Sequence, residues 1–280
     1  MIVAALVVLG LCWGSFVNAL VWRVHEQSLE TTKKRPNKKR LRELSIVQGR
    51  SMCPDCKHEL GPQDLIPVLS WLSLGGKCRY CRKPISWQYP LVELLTAGLF
   101  VASYMWWPSS LTGWAWLPFG LWLMLLVGLV ALTVYDLRWM LLPNRIVYPL
   151  SAVALTLACV QALQAAHHWQ AVLNTAIAVA IGGGIFYVLF QVSAGKWIGG
   201  GDVRLGWLLG LVMATPSRSF LFLFLAAIAG SVVSVPLLLI KKAKKDTVIP
   251  FGPFLIAGAI VTQLFGASII SWYEHIFLGL

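Results

Sequence analysis

The chain has 280 residues, of which 58% are apolar and only 12% charged, roughly half the charged fraction of an ordinary soluble domain. Its net charge of +12 invites a nucleic-acid reading, but the basic residues gather between apolar runs, where topology signals belong. No basic face interleaved with aromatics offers a platform for stacked bases. A soluble globular protein and a nucleic-acid binder are thereby excluded, and the lipid bilayer becomes the first expected partner.

Apolar runs long enough to cross a hydrocarbon core of about 30 Å recur along the sequence. In chain order the predicted spans are 2–22, 89–107, 111–135, 146–166, 171–192, a short 205–214, 220–240 and 249–272. The predicted fold class is an all-α polytopic membrane protein of about eight transmembrane helices, with a small cytoplasmic loop domain. No Lys or Arg precedes the first run, and no small-residue cleavage site ends it. It reads as a retained helix with its N-terminus outside, not as a cleaved signal. The loop 23–87 holds 14 Lys or Arg. With the N-terminus outside, 22 of the 23 basic residues fall on the cytoplasmic side, including Lys241, Lys242, Lys244 and Lys245. Arg218 alone is left outside, a bias that orients the chain. The basic stretch 27–42 is predicted as a solvated loop that also attracts anionic headgroups.

Six cysteines divide into two kinds. Cys12 and Cys159 lie in apolar runs and read as small hydrophobes. Cys53-Pro54-Asp55-Cys56 and Cys78-Arg79-Tyr80-Cys81 form two C-x2-C knuckles, a spacing that supplies four thiolates to one structural Zn²⁺. Two disulfides are the alternative, disfavoured in the reducing cytoplasm. Four thiolates leave no open position for an activated water, so the metal is not expected to hydrolyse anything.

Three carboxylates sit in or at the edge of an apolar run, where an ionisable group is costly and so a functional candidate. Asp136 closes the third span; Asp202 follows Gly199-Gly200-Gly201 just before the short sixth one; Glu93 lies within the second. Asp136 and Asp202 share one predicted depth. A pair brought together there shares a proton, so that one member can activate water while the other polarises a carbonyl. The glycines are expected to form an irregular, hydrated loop beside it. The plainer alternative pairs Asp136 with Arg138 or Arg145, and Asp202 with Lys196 or Arg204, as interfacial ion pairs. Glu93 is alternatively a hydrogen-bonding residue inside the bundle.

These residues resemble the type IV prepilin peptidase family, membrane aspartyl proteases with a Gly-x-Gly-Asp signature. The likeness begins in Gly14-Ser15-Phe16-Val17-Asn18 and continues through the paired knuckles and Tyr89-Pro90-Leu91-Val92-Glu93. It then takes in Asp136-Leu137-Arg138, Gly199 to Asp202, and Pro250-Phe251-Gly252-Pro253. The resemblance implies Asp136 and Asp202 as the catalytic pair, with Gly199, Gly200, Gly201 and Pro253 around it. It divides the chain into a first helix (1–22), a zinc-binding loop domain (23–87) and a transmembrane peptidase core (88–280). It further implies a bacterial inner-membrane enzyme that cuts basic leaders from prepilins and pseudopilins after a glycine, on the cytoplasmic side. A second activity, N-methylation from S-adenosylmethionine, would draw on the region of Gly14, Ser15, Asn18 and Glu93. Asn144 departs from the aspartate usual in the family. A peptidase without methylation, and a zinc-stapled scaffold or transporter, are the competing readings; the oligomeric state is not legible.

Overall fold

The structure, a computed structural model, describes residues 1–46, 49–239 and 249–279; the Lys241–245 cluster lies outside them. The described residues fold as helices joined by turns. Helix α1 (Ile2–Thr31) runs well past the predicted end at residue 22. Its last turns stay helical because their polar side chains have partners. The Arg23 guanidinium donates to the Ser45 carbonyl at 3.1 Å and the Gly49 carbonyl at 3.0 Å, and Gln27 to the Leu44 carbonyl at 2.8 Å. Buried Glu30 accepts from Lys33 at 2.7 Å. The first part of the stretch 27–42 is therefore helix rather than loop. Helix α2 (Lys38–Glu43) is started by Asn37, whose side chain accepts from the backbone N–H of Lys39 and Arg40, a standard N-cap. Short α3 (Leu69–Ser73) precedes α4 (Gln88–Met105).

The second half contains α5 (Trp116–Trp139), α6 (Asn144–Gln164), α7 (His168–Val179), a π-helical turn (Ala180–Gly184) and α8 (Ile185–Ser193). It ends with α9 (Gly200–Met213), α10 (Pro216–Leu239) and α11 (Gly252–Tyr273). Six helical stretches among the described residues are long and apolar enough to cross a membrane, fewer than the eight predicted. The remaining two candidates are helices that fall short. In α4 the N-terminal turns carry Gln88, Pro90 and Glu93. Helix α9 has 14 residues and spans only about 21 Å.

The chain divides into two compact units, Met1–Met105 and Trp106–Leu280, so α4 belongs with the first unit rather than with the helices that carry the aspartates. In the first unit α1 lies directly on α4. A Cβ added to Gly14 would stand 2.5 Å from the Glu93 Cα, so only glycine allows this approach. The second unit is cored by α5, whose Trp122, Leu125, Leu126, Leu129 and Leu132 are fully buried. Helix α9 packs among α6, α7, α8 and α11. There Gly206 meets the Gly182 carbonyl and Gly210 the Val179 backbone, each closer than any added Cβ would permit. The short helix is thus a small-residue wedge, the usual solution for close packing in lipid.

Candidate active site

Three helix ends assemble one site in the second unit. Asp136, in the last turn of α5, is buried. The α5 backbone ends at Met140 in the left-handed region (φ 52°), which turns the chain into Leu141-Leu142-Pro143. The Asp136 carboxylate accepts the backbone N–H of Gly252, the first residue of α11. A helix N-terminus presents free N–H groups and a positive dipole end to an anion. A Cβ on Gly252 would sit 2.6 Å from Asp136 Oδ2, so glycine is required for the carboxylate to come this close. Pro253 follows at the start of α11, where its missing N–H costs nothing.

Asp202 stands in the first turn of α9, outside the six candidate spans. Its carboxylate reaches back to the N–H of Gly199, the N-cap, as the third residue of a capping box does. Gly199 is extended (φ −74°, ψ 147°), whereas Gly200 and Gly201 are already helical. This corrects the expectation of an irregular glycine loop: the three glycines start a helix. Gly201 has a packing reason, since its Cβ would lie 3.1 Å from the Leu142 Cβ. Leu142 also touches the Gly252 position, at 3.6 Å. The segment after α5 thereby reaches both the start of α9, which carries Asp202, and the start of α11, whose Gly252 N–H meets Asp136. Sequence reasoning quoted Gly252 only as part of Pro250-Phe251-Gly252-Pro253 and gave no role to it or to Leu142; a glycine placed directly before the proline that opens α11 was the available signal for the former.

The charge of Asp136 reaches Asp202. Burial first, and then the charge of Asp136, push the Asp202 carboxyl up to about 6. Among the described residues Asp136 forms no ion pair with Arg138, nor Asp202 with Lys196 or Arg204. Ion pairs among the described residues all lie between residues 26 and 83. The Arg204 guanidinium donates instead to the Asn144 side chain, and that of Arg138 lies over the Trp139 ring at 5.4 Å. Asn144, where an aspartate was expected, thus ties the start of α6 to α9.

In the first unit Cys53, Cys56, Cys78 and Cys81 converge, their sulfurs all within 4.8 Å of one another. Each knuckle closes the same way: the Cys53 N–H donates to the His58 carbonyl at 3.0 Å, the Cys78 N–H to that of Lys83 at 2.9 Å. Lys57 and Arg82 take matching positive φ of 59° and 60°. The Cys53 and Cys81 sulfurs are 3.9 Å apart, and a tetrahedron with Zn–S bonds of about 2.3 Å requires sulfurs about 3.8 Å apart. The four residues therefore suit one tetrahedral ion. Burial pushes the Cys53 thiol up to about 12. Cys78 is also penalised by burial, yet backbone N–H groups of Cys81 and Tyr80 bring it down to about 7. Between the knuckles Asp64 accepts from Arg79 at 2.7 Å and from the Tyr80 hydroxyl at 3.1 Å.

Gly14, Ser15, Asn18 and Glu93 are also brought together, but they are committed to one another and to the loop. Glu93 accepts the Val68 N–H at 2.7 Å and the Ser15 hydroxyl. Asn18 donates to the Tyr89 carbonyl at 3.1 Å and accepts from Gln88 at 3.2 Å. Gly14 is filled by the Glu93 backbone. Together these groups hold the loop at Val68 against α1 and α4. Val68 is held at φ 59°, a strained setting for a β-branched residue.

The fold and the site define a class: a polytopic helical membrane protein with a buried carboxylate at the end of α5, a second at the start of α9 that feels its charge, and a four-thiol cluster in a separate unit. Residues 8–107 match the bacterial peptidase A24 N-terminal domain, and residues 123–235 the type IV leader peptidase family. A prepilin leader peptidase/N-methyltransferase of Bacillus subtilis is 35% identical, over 84% of this chain and 90% of its own length. Proteins of the same name from Aeromonas hydrophila and Pseudomonas aeruginosa are 36% and 32% identical, over 84% and 95% of this chain and 78% and 91% of their own lengths. Comparison with solved structures gave no match. The chain belongs to the type IV leader peptidase family.

Proposed function

We propose that this protein is an aspartyl endopeptidase of the bacterial inner membrane. It removes the basic leaders of prepilins and pseudopilins after a glycine, then methylates the new N-terminus from S-adenosylmethionine. The observation that carries the peptidase reading is the pair itself: a carboxylate on α9 pushed up by burial and by the charge of the carboxylate on α5, with no ion pair to either among the described residues. The relatives' names support both activities.

In this reading Asp202 holds the shared proton and donates a hydrogen bond to the scissile carbonyl. Asp136, fixed by the Gly252 N–H, takes a proton from the attacking water, giving a tetrahedral intermediate. In that step the Asp202 proton passes to the carbonyl oxygen; on collapse it returns to Asp202, while the proton on Asp136 goes to the leaving amine. Four thiolates from Cys53, Cys56, Cys78 and Cys81 would hold Zn²⁺ in a closed site, where the ion supplies folding energy to a small loop domain. The methyl donor would sit in the region of Gly14, Ser15, Asn18 and Glu93, beside the thiol-bearing loop. Loop charge supports an N-terminus outside and a pair facing the cytoplasm.

Membranes carrying Asp136→Asn or Asp202→Asn, expressed at the parent level and given a prepilin, test the peptidase. Normal cleavage by either variant would leave a scaffold or transporter. Mass spectrometry of the mature pilin tests the second activity: an N-terminus lacking the added methyl group would mean a peptidase alone.

A further inference from the structure

A cavity of about 430 Å³ lies at the far end of α9 from Asp202, where α9 stops and α10 begins. Its lining includes Gln161 of α6, Asn174 and Thr175 of α7, Ser217 and Arg218 of α10, and Ile270 of α11. The volume is that of a small-molecule site, several times what a bare oxyanion fills. Arg218 is half-buried on a helix that is otherwise apolar for most of its length. It belongs to no ion pair among the described residues, and it donates no side-chain hydrogen bond to them. An ionised side chain in such a place normally has a partner. Glu274, one turn beyond Ile270, is exposed and does not supply it. The other polar lining groups can complete an anion's shell. Asn174 accepts from Gln170 at 3.3 Å through its carbonyl oxygen, which leaves its amide N–H₂ free to donate into the cavity.

We propose that this cavity binds a phosphate group, free or esterified, with Arg218 as its fork-shaped anchor and Asn174 and Gln161 as neutral donors. A guanidinium matches two phosphate oxygens at once, and apolar wall residues such as Ile270 suit the carbon attached to the phosphate. The chemistry is shared by a phospholipid headgroup and by free phosphate. The site is separate from the aspartate pair, and the proposal does not depend on the peptidase assignment.

The test uses the full-length purified protein. Native mass spectrometry counts phosphatidylglycerol retained by the parent and by Arg218→Gln; thermal unfolding is followed in sodium phosphate against sodium chloride of equal ionic strength. Loss of charge-assisted hydrogen bonds should cut retention about tenfold in Arg218→Gln, with Arg218→Lys in between, while prepilin cleavage stays at the parent level. Stabilisation by phosphatidylglycerol alone identifies a headgroup, and stabilisation by phosphate as well identifies a small-anion site; both support the proposal. Equal retention by parent and Arg218→Gln overturns it. So does a Glu274→Gln variant that reproduces every effect of Arg218→Gln. If Arg218→Gln does not fold, Asn174→Ala is read instead, with a smaller loss expected and an unchanged retention counting against the site.

Discussion

The two units treat buried polar groups in opposite ways. In Met1–Met105, Arg23 is spent on loop carbonyls, Glu30 on Lys33 and Arg40, Asn18 on Tyr89 and Gln88, and Glu93 on Val68. In Trp106–Leu280 the cohesion comes from apolar side chains and glycine contacts, and the carboxylates of Asp136 and Asp202 receive backbone N–H groups but no cation. The buried side-chain atoms without a partner among the described residues, on Thr262 and Gln263, are also in this unit. Satisfied polar groups hold a loop in shape. A pair of carboxylates left to repel is costly, and such perturbed groups mark a place where protons move.

Substitution of either aspartate gives the sharpest break between the units. Asp136→Asn and Asp202→Asn should each lower cleavage by about 10³-fold, with circular dichroism unchanged. Next, Cys53→Ser combined with Cys78→Ser should reduce zinc from about one per chain to none, as a closed four-thiolate site requires. Its effect on cleavage should be smaller than that of either aspartate; an equal loss would mean that the first unit takes part in peptide hydrolysis. Gly252→Ala should cost about 10²-fold in cleavage by pushing the Asp136 carboxylate out of line, whereas Gly120→Ala, which meets nothing within 4 Å, should be neutral.

A milder probe is pH. The raised Asp202 carboxyl keeps its proton below about 6 and loses it above, so kcat/KM should fall tenfold per pH unit beyond that midpoint. A profile flat from pH 5 to 8 would remove the shared proton from the mechanism. Smallest of all, Glu59→Gln breaks an exposed pair with Arg50 and should change stability by less than about 0.5 kcal/mol.

Much of this was legible in the sequence because membrane insertion and thiol ligation leave strong local signatures. The helical class followed from the apolar runs, and the four-thiol cluster from the two knuckles at Cys53 and Cys78. What the sequence hid depends on contacts between distant segments. The helical extension of α1 to Thr31 rests on carbonyls of residues 44–49, which no periodicity reports. Gly199 to Asp202 read as an irregular, hydrated loop because glycine is ambiguous. Only the return of the Asp202 side chain to Gly199 makes it a helix start. Gly252 mattered for a neighbour 116 residues away, and Leu142 for two neighbours at once.

One consequence of that helix start concerns timing. Asp202 is the clasp on the first turn of its own helix, and in the proposed cycle it is also the group that carries a proton. A carboxylate grips an N–H more firmly than a neutral carboxyl does, so each turnover would slacken and retighten a turn made of three glycines. Peptide entry and release could then keep step with the chemistry, the clasp opening when the proton arrives and closing when it leaves.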